Sequence, residues 1–281
     1  MQTTYPQAVS LLEQADYFDV PGAQLYTVLH KLPDPVGRVL LVGPFASERH
    51  NSYGPWVRWA RYMSARRLEV LRYDYRGIGE STGDFDEMSF SHWEEDVQLL
   101  TMRLNEQSPK LPLFLHGLEL GAVLAARAFQ TGIGDALLLW SPPKNANQAL
   151  RSTLIRWVGL AQLLRYTEGR KTAADSIREL ESGSPIEVEG YLWSPRLWRD
   201  SFQYELPSEM VDGESASVHY KKPVRIEILG ANAAPLAKKG MVGGAEEIRD
   251  LDWLYASNYD WMNHVLSTSS EGRDEPGDYK S

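Results

Sequence analysis

The sequence predicts an α/β fold with a doubly wound, mostly parallel sheet and a helical cap insertion. Short apolar runs alternate with helix-length segments whose apolar residues recur every three or four positions. Such alternation is typical of βαβ units, which pair their strands in parallel and place helices on both faces. The alternation stops between about 144 and 218, where the pattern is helical. We therefore expect a single domain over residues 1–266, with a cap at about 144–218.

The first expected elements are a strand at 36–44, a helix at about 53–67, a strand at 68–75 and a helix at about 90–105. The first strand is continuously apolar and ends at Gly43-Pro44, as expected for a strand buried on both faces. Each helix has apolar residues spaced along one face, which are Trp56, Trp59, Ala60 and Met63 in the first and Trp93, Val97, Leu100 and Leu104 in the second. The strand at 68–75 leads into a glycine-rich turn, Arg76-Gly77-Ile78-Gly79.

The later expected elements are strands at 111–116, 136–140, 223–229 and 251–255, with a helix at 119–131 and a terminal helix that carries His264. Within the cap, helices are expected at about 149–166 and 171–181. The tail at 267–281 is rich in Ser, Gly, Asp and Glu, a composition that predicts disorder.

The overall composition excludes several classes of function. With 29 Lys and Arg against 38 Asp and Glu, the net charge is −9, which argues against binding nucleic acid or an anionic membrane. The absence of cysteine excludes a disulfide framework and a thiolate nucleophile. The sequence begins without a signal-peptide pattern and has no apolar run long enough to span a membrane, so a cytoplasmic protein is expected.

Neither a metal nor a cofactor is expected. The histidines lack the His-x-x-x-His and His-Glu-x-x-His spacings that are typical of zinc sites. The turn Gly77-Ile78-Gly79 lacks the third glycine of a dinucleotide-binding loop and is better explained as the exit from a strand.

Two motifs resemble those of the α/β-hydrolase superfamily. The segment Asp74-Tyr75-Arg76-Gly77-Ile78-Gly79-Glu80-Ser81 is similar to the Asp-x-Arg-Gly-x-Gly-x-Ser turn after the third strand of many such hydrolases. The segment Gly117-Leu118-Glu119-Leu120-Gly121 resembles the Gly-x-Ser-x-Gly nucleophile elbow, between a strand and a helix. The resemblance covers most of residues 24–265. It is nearest to the serine-aminopeptidase-like branch and to hydrolases associated with exosortase and exopolysaccharide genes.

The resemblance implies that the serine-hydrolase relay is missing. Glu119 stands at the position of the serine, and alanine stands at the expected acid position in Gly230-Ala231-Asn232-Ala233. The base of the family follows the last strand, but the next histidine here is His264, in the expected terminal helix. Without Ser, Asp and His within reach of one another, acyl transfer of the ordinary kind cannot proceed.

Glu119 leaves three interpretations open. It can be a plain first-turn carboxylate, favoured by the helix dipole and facing solvent or an arginine. It can be a ligand-binding carboxylate that recognises a hydroxyl or an amine. It can also be catalytic, since a carboxylate at this position is the nucleophile in the dehalogenase and epoxide-hydrolase branches of the superfamily, although the residue there is the shorter Asp.

The other candidate site residues lie next to Glu119 in sequence or in the segment 45–51. The segment 45–51 follows the strand whose loop builds half of the oxyanion hole in the family, and its polar side chains either bind a ligand or are merely solvated. The candidate catalytic residues are Glu119, His50 and His116, although His116 also suits a packed, hydrogen-bonded histidine. The candidate ligand-binding residues are Phe45, Ala46, Glu48, Arg49, Leu118 and Leu120.

The sequence thus predicts an α/β-hydrolase-like protein that binds a small molecule or a protein partner, with a link to polysaccharide or acyl metabolism by resemblance, and without ordinary serine-hydrolase activity. The alternative is a hydrolase or lyase that uses Glu119 as nucleophile or general base.

Overall fold

The structure is a computed structural model that describes residues 12–163, 172–229 and 251–271. Its strands are β1 (Leu12–Val20), β2 (Ala23–Lys31), β3 (Gly37–Val42), β4 (Leu68–Tyr73), β5 (Leu113–Leu118), β6 (Ala136–Trp140), β7 (Ile186–Val188), β8 (Tyr191–Trp193) and β9 (Val224–Glu227). Seven of them form one sheet in the order β1-β2-β4-β3-β5-β6-β9, and β7 pairs with β8 in a separate hairpin. From β4 to β9 the neighbours are parallel, whereas β1–β2 and β2–β4 are antiparallel. The predicted mostly parallel sheet is confirmed.

Helices cover both faces of this sheet. They are α1 (Ala46–Ser64), α2 (Phe90–Gln107), α3 (Leu120–Gln130), α4 (Ala146–Leu163), α5 (Ala173–Ser182), α6 (Pro195–Asp200), α7 (Gly213–Tyr220) and α8 (Asp252–Glu271). Helices α1 and α8 share one apolar core with the sheet, and α2, α3 and the segment after β6 share the other. All six residues of β3 are buried, because its alternate side chains enter the two cores. This explains the continuously apolar runs in the sequence.

The insertion between β6 and β9 contains helices α4 to α7 and the β7–β8 hairpin. Helices α4 and α5 correspond to the two helices expected from the sequence, whereas the hairpin, α6 and α7 were not predicted. Leu150, Leu154 and Leu180 are at most 1% exposed, so the insertion packs into the core. Helix α5 begins at a capping box between Thr172 and Asp175 and ends at Gly183 in the left-handed region.

Helix α1 begins at Ala46, seven residues before the expected start, so the interpretation of 46–51 as a loop was wrong. The sequence reading placed the start beside Gly54 and Pro55, which lie inside the helix. Glu48 lies in the first turn, where the helix dipole favours a carboxylate. The longer helix places Glu48, Arg49 and His50 on a rigid element instead of a loop.

Two further expectations about the chain ends need correction. The strand expected at 251–255 is absent, because α8 begins at Asp252. Helix α8 continues to Glu271, so the first five residues of the tail expected to be disordered are helical, and 272–281 lie outside the described residues. The β1–β2 hairpin was also not predicted, because β1 is an edge strand whose side chains are mostly exposed and show no clear alternation. Among the helices that the structure describes, none has the length and apolar character to cross a membrane.

Candidate functional site

Glu119 lies at the sharp turn between β5 and α3, with φ 52° and ψ −121°. A residue with a side chain is strained in this conformation, at a cost of about 1–3 kcal/mol. The backbone is fixed there by two hydrogen bonds. The Glu119 N–H donates to the carbonyl of Trp140 at 3.0 Å, and the Glu119 carbonyl accepts from the N–H of Ala122 at 2.9 Å. The turn therefore projects the Glu119 side chain from the carboxyl end of the sheet.

Two glycines make this turn possible. A Cβ on Gly117 would lie 2.4 Å from the Cα of Ala122, and one on Gly121 would lie 2.2 Å from the carbonyl oxygens of Val42 and Gly43. Neither position can accept a side chain unless the backbone moves. The elbow is therefore packed directly against the end of β3.

The Glu119 carboxyl group is half-buried and has charged neighbours on two helices. None of the described residues forms a hydrogen bond with it. Burial raises its pKa to about 7, with a further rise from Glu48 on α1 and an opposing effect from Arg156 on α4. Glu48 and Arg156 form an ion pair with each other. The structure thus brings the predicted residues Glu119 and Glu48 together, beneath the first helix of the insertion.

Arg49 follows Glu48 in the chain but belongs to a different cluster. Its Nη2 lies 2.6 Å from Oδ1 of Asp74, whose other oxygen accepts from the backbone N–H of Glu80 at 3.0 Å. A Cβ on Gly79, where φ is 63°, would lie 2.1 Å from that second oxygen. The backbone of the glycine-rich turn after β4 therefore packs closely around the Asp74 carboxylate, and the Arg49 guanidinium group binds the same carboxylate.

The two candidate histidines do not share one site. His50 is exposed on α1. His116 is fully buried in a cage of indole rings, with ring centroids 4.6 Å from Trp140 and 4.9 Å from Trp56. Its Nδ1 lies 3.0 Å from the carbonyl of Leu138, and burial lowers its pKa to about 3. Neutral His116 therefore donates from Nδ1 to Leu138, as a packed core histidine does.

The remaining candidates are mainly packing residues at the elbow. Phe45 is 2% exposed and lies within 6.4 Å, between ring centroids, of Phe85, Trp93, Tyr191 and Trp193. Leu118 and Leu120 are buried in different cores. As the first residues of α1 and α3, Ala46 and Leu120 have N–H groups with no acceptor inside their helices.

Sequence reasoning missed Arg156, because its neighbours Leu154 and Trp157 made the α4 segment look like an apolar face. A charged residue inside that face was the available signal.

Other positions where a relay residue could stand do not supply one to the elbow. Ser141 has a strained backbone with φ 47°, but its Oγ already accepts a hydrogen bond from the backbone N–H of Leu229 at 3.1 Å. The expected acid position, 230–233, lies outside the described residues, and His264 is exposed on α8. Within the part of the chain that the structure describes, no group of three or more His, Asp or Glu side chains is placed to hold a metal ion.

Comparisons with known proteins agree with this architecture. The family model described as "Serine aminopeptidase, S33" matches residues 45–178. No curated protein matches the chain. Among solved structures, the α/β hydrolase GrgF from Penicillium sp. sh18 is 16% identical, with 92% of this chain and all of that chain covered and a TM-score of 0.56. A thermostable carboxyl esterase from Bacillus coagulans is 16% identical over 90% of this chain and 98% of that chain, with a TM-score of 0.55.

A lidless serine hydrolase from Xanthomonas campestris, XC6422, is 21% identical, but the match spans 51% of this chain and 65% of that chain with a TM-score of 0.41. That likeness is too limited to bear on the fold. The sheet order and the two full-length structural neighbours lead to one conclusion: the chain has the α/β-hydrolase fold, and its residues 45–178 are similar to the serine aminopeptidase family.

Proposed function

We propose that this protein lacks the Ser–His–Asp relay of the α/β-hydrolase superfamily and binds a small molecule through the Glu119 carboxyl group, without ordinary serine-hydrolase activity. Glu119 occupies the elbow position that a serine occupies in the hydrolases. The observation that carries the proposal is its environment: a strained backbone, a half-buried carboxyl group and a pKa raised to about 7. Strain of this kind is concentrated at functional sites.

The raised pKa of Glu119 bears on the three interpretations left open by the sequence. A carboxylate that merely faces solvent at a helix start is stabilised in its charged form, so its pKa falls. The pKa of Glu119 moves in the opposite direction. Near neutral pH the group is partly protonated and can both donate and accept a hydrogen bond. Such a group recognises a ligand hydroxyl or amine, and the resemblance suggests polysaccharide or acyl metabolism as its source.

A second candidate function is catalysis by Glu119 as general base or nucleophile, and the same pKa favours it. A general base is most effective when its pKa lies near the working pH. A nucleophilic role is less favoured, because the Glu side chain is one methylene longer than the Asp of the dehalogenase and epoxide-hydrolase branches.

The decisive experiment is a ligand search by thermal shift, followed by binding measurements on the parent, Glu119→Gln and the control Glu106→Gln. Glu106 is exposed on α2, so its replacement removes a carboxylate away from the elbow. A ligand of the site raises the melting temperature of the parent. We expect its affinity to fall at least about tenfold in Glu119→Gln, which corresponds to about 1.4 kcal/mol, and to be unchanged in Glu106→Gln. Equal binding by both variants would refute the proposal.

Two further measurements separate the candidate functions. A fluorophosphonate probe should leave the protein unlabelled, because no activated serine is expected; stoichiometric labelling at any serine would overturn the absence of a relay. If the ligand is consumed by the parent but bound without turnover by a Glu119 variant, the second candidate replaces the first.

A further inference from the structure

A cavity of about 440 Å³ lies between α1 and the sheet, on the β2–β4 side. Pockets for small molecules commonly have volumes of about 300–1,000 Å³. Its walls include Tyr26, Val28, Tyr53, Trp56, Val57 and Arg72. Glu119 is not among the lining residues, so this cavity is separate from the elbow. The two sites contact different side chains of α1.

The cavity is lined by hydrogen-bond donors that have no acceptor. The indole N–H of Trp56 and the hydroxyl groups of Tyr26 and Tyr53 form no hydrogen bond with any residue that the structure describes. None of these three donor atoms is among the fully buried polar atoms without a partner, so each is accessible from the cavity or from solvent. A bound group with several acceptor oxygens would pair these donors.

Arg72 places a positively charged guanidinium group in the cavity wall. Its side chain is 14% exposed, its Nε lies 3.1 Å from Nε2 of His30, and its Nη2 lies 3.5 Å from Glu13. Glu13 also accepts a hydrogen bond from Nε of Arg61 at 2.5 Å. Burial, followed by the charge of Arg72, lowers the pKa of His30 to about 4 and keeps it neutral. Two guanidinium groups therefore share one carboxylate.

The carboxyl groups of Asp74 and Glu80 also line the cavity. Asp74 is paired with Arg49 and accepts a backbone N–H, so its charge is compensated. Glu80 is exposed. The charge distribution therefore directs an anionic group toward Arg72 and away from Asp74.

We propose that this cavity binds a small organic carboxylate. The carboxylate lies against the guanidinium of Arg72, which can present paired donors to it. Tyr53 and Trp56 donate to the remaining oxygen lone pairs; the ring of Tyr53 already lies 5.9 Å from the Arg72 guanidinium carbon. The apolar part of the ligand contacts Val28 and Val57, which form an apolar part of the cavity wall.

The test uses 4-fluorobenzoate as the probe and 4-fluorobenzamide as its uncharged counterpart, with binding followed by fluorine NMR. The parent should bind the benzoate at least about tenfold more tightly than the amide. Arg72→Gln should lose about tenfold in benzoate affinity, and Tyr53→Phe should lose a smaller factor without a change in fold, because Tyr53 is 53% exposed.

Arg178→Gln is the matched control, because it removes a guanidinium group that pairs with Asp175 on α5 and lies outside the cavity wall. Its affinity for benzoate should equal that of the parent, as should that of Glu119→Gln. The inference is overturned if the amide binds as well as the benzoate, if the parent binds neither, or if Arg178→Gln and Arg72→Gln weaken binding equally. Loss of binding in Glu119→Gln would place the carboxylate at the elbow and overturn it as well.

Discussion

Gly121 and Gly43 approach each other so closely that a Cβ on Gly121 would lie 2.2 Å from the carbonyl oxygen of Gly43. This approach joins the first turn of α3 to the end of β3 and so determines where Glu119 stands. Gly121→Ala must therefore separate α3 from β3. We expect a loss of more than about 3 kcal/mol in unfolding free energy, the upper range for ordinary single substitutions, measured by denaturant melts.

The matched control is Gly159→Ala. Gly159 lies in the exposed part of α4 with no atom within 4 Å of its would-be Cβ. Alanine there should raise the unfolding free energy by up to about 1 kcal/mol, since glycine is the poorer helix former. If Gly121→Ala were as stable as Gly159→Ala, the result would contradict the close approach of Gly121 to the end of β3.

Glu119→Gln should stabilise the protein at high pH and leave it unchanged at low pH. The pKa of Glu119 rises from 4.5 to about 7 on folding, so the folded state holds a proton that the unfolded state releases. Stability is therefore full below the unfolded pKa and declines as pH rises to about 7. A shift of this size corresponds to at most about 3 kcal/mol, reduced by solvent at a half-buried group.

We therefore expect Glu119→Gln to exceed the parent by about 1–3 kcal/mol at about pH 8 and to match it at about pH 4. Denaturant melts at the two pH values measure the difference. A variant that is less stable than the parent at the higher pH would show that the Glu119 charge is stabilised, contrary to its environment.

The two charged neighbours of Glu119 should shift its pKa in opposite directions. Glu48→Gln removes a like charge and should lower the pKa, whereas Arg156→Gln removes an opposite charge and should raise it. Each shift can be followed by carbon NMR of the carboxyl group. Because Glu48 and Arg156 also form an ion pair, the double variant should lie between the two single variants. Shifts in the same direction would contradict the arrangement.

A buried ion pair stabilises the turn after β4. Asp96 is 0% exposed, its Oδ1 lies 2.6 Å from Nε of Arg76, and burial raises its pKa to about 6 despite this partner. Asp96→Ala leaves the buried Arg76 with the 43% exposed Glu95, 3.0 Å away, as its remaining acidic partner, so the cost should be at most about 3–5 kcal/mol. Asp84→Ala, at an exposed position nearby, is the control and should change stability by less than about 0.5 kcal/mol. Equal unfolding free energies for the two variants would contradict a stabilising role of the ion pair between Arg76 and Asp96.

The sheet could be predicted from the sequence because its central strands are buried on both faces. Every residue of β3, β5 and β6 is buried, each strand contains a run of at least three apolar residues, and each is followed by a recognisable turn or helix. The β1–β2 hairpin was missed for the opposite reason, since an exposed edge strand has no such run. The early start of α1 was missed because Pro55 signals a boundary in sequence, although a long helix tolerates it.

The site was only partly predictable. The glycine spacing around Glu119 is local in sequence and could be identified directly. The ion pair between Glu48 and Arg156 joins residues more than a hundred positions apart, and no local pattern reports such a contact. The burial of His116 likewise depends on Trp56 and Trp140, which come from two other elements.

The two fully buried imidazoles have consequences for how the interior responds to acid. His30 and His116 have pKa values lowered to about 4 and about 3, so both stay neutral in ordinary buffers. Asp96 and Glu119, by contrast, have pKa values raised to about 6 and about 7. Near neutral pH, the groups of the interior that take up protons are therefore the carboxyl groups of Asp96 and Glu119 and not the imidazoles of His30 and His116. Mild acidification thus removes negative charge from the interior instead of adding positive charge to it.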